Sequence, residues 1–127
     1  MRLVQEMGEE QTRAAREELD EESLAIFDLL RKPDLSPKEI KRIKTMSVEL
    51  LQRLKAEKLR VERWTDKEAT RDAVRLAIRD FLWSDATGLP EDLYGEDDVQ
   101  ARAEEVYRHV FRVYPEIPSP YYGAQVA

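Results

Sequence analysis

Between Asp20 and Tyr114 the apolar residues recur at intervals of three and four, and no segment alternates every second residue as a half-buried strand would. Leu24, Phe27 and Leu30 form the first clear stripe, and Asp20 before them offers a short side-chain oxygen to the free N–H groups of a helix start. Pro33 disfavours helical geometry in the residue before it, so this helix is predicted to stop near Arg31 and Lys32. Ser36-Pro37-Lys38-Glu39 reads as a capping box with proline at the first helical position, where its missing N–H costs nothing. It predicts a long helix to about Leu59, with Ile40, Ile43, Ser47, Leu50, Leu51, Leu54 and Lys58 along one stripe. Thr65-Asp66-Lys67-Glu68 reads as a second capping box, opening a helix with Ala69, Ala73, Val74, Ala77, Ile78, Phe81 and Leu82 on its apolar side. Thr87-Gly88-Leu89-Pro90 is a loop. Asp97 or Asp98 then caps a last helix with Val99, Ala103, Val106, Val110 and Val113 inward and Tyr107, Phe111 and Tyr114 on its flank.

Outside that span, Arg2 to Leu19 carries Leu3, Met7, Ala14, Ala15 and Leu19 at helical spacing, interrupted by Gly8, and reads as a leading helix. Pro115, Pro118 and Pro120 forbid continuation of the last helix, so residues 115–127 are expected to be an extended tail. The expected fold is all-α: a bundle of about four or five helices with an extended Pro-rich C-terminal tail, in a single domain over residues 1–127. Its parts are a leading helix over 1–19, a helical core over 20–114 and the tail. Short connections favour antiparallel neighbours.

Composition narrows the function more than the fold. A chain of 127 residues suffices for one core, and 42% apolar with 38% charged residues describes a charged-surface helical domain. With no cysteine there is no thiolate metal site and no cysteine nucleophile. No apolar run approaches the roughly 20 residues of a membrane span, and a cytoplasmic location is the expectation. A formal charge of −6 argues against a surface that is polyanion-binding throughout, leaving room only for a local basic patch.

Lys67, Arg71, Arg75 and Arg79 recur every fourth residue and form a slowly turning basic stripe on a helix, with Arg60 and Arg63 just upstream. Three readings stand: a solvated face offset by Glu68 and Asp72, a contact for an acidic protein, or a contact for phosphates. His109 is the only histidine and Glu105 lies one turn before it, but a zinc or di-metal centre needs ligands beyond this pair. The acidic runs Glu17-Glu18 and Asp20-Glu21-Glu22 suit solvated helix ends. Trp64 and Trp83, at either end of the same helix, are expected in the core, and Tyr121 and Tyr122 are candidate anchors by which the tail docks on a neighbour. No catalytic, cofactor or metal site is expected in this chain.

Several segments in order resemble a known family. The run Leu24-Ala25-Ile26-Phe27-Asp28-Leu29-Leu30-Arg31-Lys32-Pro33, the helix Ile43 to Leu54, Arg63-Trp64 with Lys67, Ala73-Val74-Arg75 and Ile78-Arg79-Asp80-Phe81-Leu82 are followed by Leu89-Pro90 and Val106-Tyr107-Arg108-His109-Val110-Phe111 with Tyr114. Together they resemble the C-terminal helical domain of the R subunit of type I restriction enzymes, over about Glu18 to Tyr114. Arg108 and Phe111 depart from that family's pattern, which has Gln and Tyr there. The resemblance implies a fragment or separate domain of a much longer subunit, an ATP-dependent DNA-translocating endonuclease. This chain lacks the phosphate-cradling loop of such a motor. What the resemblance implies for it is noncatalytic assembly, holding the motor onto the methyltransferase and specificity subunits, with DNA handled by the parent complex. The rival expectation is a freestanding helical nucleic-acid binder using Lys67 to Arg79.

Overall fold

A computed structural model of the chain describes residues 17–84, 87–117 and 119. The protein is all-α. Among the described residues there are four α-helices, α1 (Glu21–Leu30), α2 (Pro37–Glu57), α3 (Glu68–Trp83) and α4 (Glu96–Val113), with a 3₁₀ turn at Trp64–Asp66 and no strand. Most of the leading helix and most of the tail, with Tyr121 and Tyr122, lie outside the described residues. By its internal contacts the chain divides into two units, Met1–Val48 and Glu49–Ala127.

In the first unit, the Asp20 carboxylate accepts from the Ser23 N–H at 2.6 Å and so caps α1, as its place before the stripe predicts. Leu24, Ile26, Phe27 and Leu30 are buried. The helix ends one residue before the predicted stop, and Asp34 turns the chain with φ of 66°. Ser36 and Glu39 form the reciprocal capping box: Ser36 N–H donates to Glu39 Oε1 at 2.8 Å and Glu39 N–H to Ser36 Oγ at 3.2 Å. Two N–H groups without helical partners are thereby satisfied. The Lys44 ammonium lies 5.9 Å from the Phe27 ring centre and pairs with Glu17 at 2.8 Å. Ser47, wholly buried, satisfies its hydroxyl on the Ile43 carbonyl at 2.8 Å.

The second unit holds the end of α2, with Leu50, Leu51 and Leu54 buried, and then Leu59 and Trp64. α3 packs against α4 and against the 3₁₀ turn. Val74, Ile78, Phe81 and Leu82 meet a core that includes Val99, Ala103, Val106, Tyr107, Val110 and Val113. Trp64 has no exposed surface, and its indole N–H donates to the Tyr114 carbonyl at 2.7 Å, joining the turn before α3 to the residue that ends α4. Cations lie over several rings of this core, Arg53 at 5.2 Å from Phe81 and Lys55 at 5.3 Å from Tyr114.

Three local expectations are corrected. The box at Thr65 to Glu68 does not form: Thr65 and Asp66 belong to the 3₁₀ turn, and α3 starts at Glu68 after an uncapped Lys67. The Asp66 carboxylate is instead held by Arg63 Nε at 2.8 Å, and Arg63 itself turns the chain with φ of 55°. Neither Asp97 nor Asp98 caps α4. Gly95 holds that position, while Asp98 accepts from Arg102 Nε at 2.8 Å, and both aspartates lie in the first turn, where the helix dipole favours acids. Trp83, expected in the core, is 54% exposed. It lies one residue beyond Leu82, a rotation of about 100° away from the buried face.

Candidate functional site

The four cations Lys67, Arg71, Arg75 and Arg79 do not form one free stripe. Arg71, Arg75 and Arg79 lie beside residues of α4, Lys67 stands before the helix, and two of the four are engaged within the fold. Arg71, half-buried, donates from Nη1 to the Thr65 carbonyl at 2.8 Å, a contact that holds the 3₁₀ turn against the first turn of α3. The Arg75 guanidinium carbon lies 4.3 Å from the centre of the Tyr107 ring, and its Nε is 3.1 Å from Glu104 of α4, with Asp72 at 3.8 Å. Lys67 and Arg79 are exposed and make no ion pair among the described residues. The sequence spacing gives the periodicity of these residues but not the acid on the neighbouring helix.

Two surface depressions flank this seam. One, of about 470 Å³, is lined by Leu76 and Ala103 with Asp72, Arg75, Arg79 and Glu104 around them. The other, of about 350 Å³, lies between Arg71, Tyr107, Arg108 and Phe111. Phe111 is 41% exposed, although its ring meets Trp64 edge-on with centres 5.8 Å apart. One edge of this aromatic thus belongs to the core and the other faces solvent beside two arginines. Aromatic and arginine side chains are the types enriched at the energetic centres of protein interfaces. The sequence reading placed Phe111 on the flank of α4 and Arg71 in the stripe, but nothing in it joined them.

Leu76 was not singled out from the sequence, yet a signal for it was present. It lies two residues from both Val74 and Ile78, about 200° around the helix from each, and so opposite the buried stripe. It is 49% exposed.

His109 lies partly buried on α4, its ring centre 6.4 Å from that of Tyr114, and its buried Nε2 has no hydrogen-bond partner. Burial, and secondarily the Arg112 guanidinium, hold its pKa below the usual imidazole value. Glu105 is exposed, and among the described residues no three His, Cys, Asp or Glu side chains lie together as a metal ion requires. No helix among the described residues is long and apolar enough to cross a membrane. Compared with known protein families, with curated proteins and with solved structures, the chain matches none.

Proposed function

We propose that this chain is a noncatalytic assembly domain, the C-terminal helical part of a type I restriction motor subunit, which docks that subunit onto its methyltransferase and specificity partners in the cytoplasm. The observation that carries the docking role is the half-exposed Phe111 beside Arg71 and Arg108, an aromatic and basic surface on a rigidly packed helix pair. The choice of parent rests on the ordered resemblance. Its segments contribute Leu24, Phe27, Leu30, Trp64, Val74, Ile78, Val106 and Val110 to the buried framework. The two departures from the family pattern, Arg108 and Phe111, both line the surface depression. Variation there suits a contact that must match one particular partner while the framework behind it stays the same.

Calorimetric titration of the chain into the methyltransferase–specificity complex of the same restriction system tests this. Binding is expected, with at least tenfold loss for Arg108→Glu, whose exposed side chain can be reversed without disturbing the core. Absence of heat at tens of micromolar, or unchanged affinity in Arg108→Glu, would overturn the proposed docking surface.

A further inference from the structure

Along the line where α3 meets α4, the paired positions change character turn by turn. Arg79 and Gln100 line one depression together, Arg75 meets Glu104 at 3.1 Å, and Arg71 and Arg108 line the next depression. These steps are four residues apart on each helix and run in opposite directions, so each lies about one helical turn from the last. Only at the third do two cations share a depression with no acid in its lining. Among the described residues Arg71 and Arg108 make no ion pair, although Glu68 and Glu105 each lie three residues before one of them. The Thr65 carbonyl that holds Arg71 is neutral, so it offsets no charge. The rest of the lining is aromatic, Tyr107 and the 41% exposed Phe111.

We infer that this depression takes an acidic segment of the partner protein, an apolar side chain lying on the Phe111 ring and a neighbouring Asp or Glu carboxylate bonding to Arg108. The inference rests on the docking role proposed above and adds the chemistry of what docks. The planar guanidinium of Arg108 offers two parallel N–H groups, the geometry a carboxylate accepts best. The positive charge of Arg71 adds to the attraction, and an anion placed there also relieves the repulsion between the two arginines. The surroundings favour a protein acid over a nucleic acid. Glu68, Glu104 and Glu105 lie within about one turn of the two arginines, so a chain of phosphates leaving the depression would run into like charge. A protein segment need present only one carboxylate.

Nuclear magnetic resonance titration of the full chain with a capped peptide, one glutamate flanked by two leucines, tests this. The Arg108 Nε–H and Phe111 ring resonances should shift to saturation with a Kd on the order of 1 mM. Three changes should each weaken binding at least tenfold: glutamine for the peptide's glutamate, serines for its leucines, and Arg108→Gln in the protein. The first and third remove a charge-assisted hydrogen bond and the second removes apolar contact. No saturation by about 10 mM would overturn the inference. So would equal affinity for the glutamine or serine analogue, or tighter binding of a thymidine oligonucleotide at the same resonances. The calorimetric titration with the methyltransferase–specificity complex separates the two proposals. Binding there that Arg108→Glu weakens, without peptide binding, would keep the docking surface and remove its acidic occupant. Peptide binding without binding of the complex would keep this site and remove the proposed parent.

Discussion

Trp64 shows how a single side chain holds the second unit together. Its indole is fully buried, meets Tyr107 and Phe111 edge-on at 6.4 and 5.8 Å between ring centres, and satisfies its only donor on the Tyr114 carbonyl at 2.7 Å. A buried indole without that acceptor would lose the contact with water and gain nothing in return, so the hydrogen bond fixes where the chain leaves α4. His109, five residues before Tyr114, is the opposite case, since its buried Nε2 is unpartnered. Its folded-state pKa lies below the unfolded value of about 6.5, so the unfolded chain takes up the proton first as pH falls. Stability is therefore greatest above about pH 6.5, declines as pH falls through that value and levels off below the folded-state pKa. With His109 the only histidine, thermal unfolding at pH 7.5 and 5.5 should show a lower Tm at the acid end in wild type and a smaller drop in His109→Gln. An equal drop in both proteins would assign the pH dependence to other groups.

At the scale of elements, hydrophobic period and local capping chemistry were legible where the capping residues stand directly before the first helical turn. Asp20 and the Ser36–Glu39 pair cap α1 and α2 in the manner their spacing predicts. Thr65–Glu68 has the same pattern and does not cap, because Thr65 and Asp66 lie in the 3₁₀ turn and α3 begins only at Glu68, which puts Thr65 too early to serve as its N-cap. The Thr70 hydroxyl closes the carbonyl side of this turn, donating to the Trp64 carbonyl at 2.6 Å with the Lys67 carbonyl at 3.0 Å. The two boxes should consequently respond differently to the loss of the hydroxyl. Ser36→Ala is expected to cost about 0.5–2 kcal/mol in urea unfolding, the usual range for a lost N-cap. Thr65→Ala should stay within about 0.5 kcal/mol, as for a substitution that removes no cap. Equal losses would mean that Thr65 caps α3 after all.

At the scale of the whole molecule, the candidate site was legible as a list of residue types but not as an arrangement. Periodicity put Lys67, Arg71, Arg75 and Arg79 on one helix; it could not show that Glu104 and Tyr107 on α4 engage Arg75, nor that Arg71 is bound to Thr65. Those contacts depend on how α3 meets α4, which a local sequence pattern does not encode. They bear directly on the nucleic-acid reading. Phosphate binding draws much of its strength from counterion release, with a slope of log affinity against log salt of about 0.9 per phosphate neutralised. Four free cations would give a steep dependence, but Lys67 and Arg79 alone give a slope near two. They also sit on a chain of net charge −6, with Asp72, Glu96 and Glu104 beside the same seam. Fluorescence anisotropy with a labelled duplex should therefore detect no saturable binding at an ionic strength of about 0.15 M, where the screening length is only about 8 Å. Saturable binding there with a salt slope of four or more would mean that Arg71 and Arg75 leave their intramolecular partners for phosphate. Gaining those contacts would require breaking the Thr65 and Glu104 links, so the same titration would then report a rearrangement of the α3–α4 seam as well as affinity for DNA.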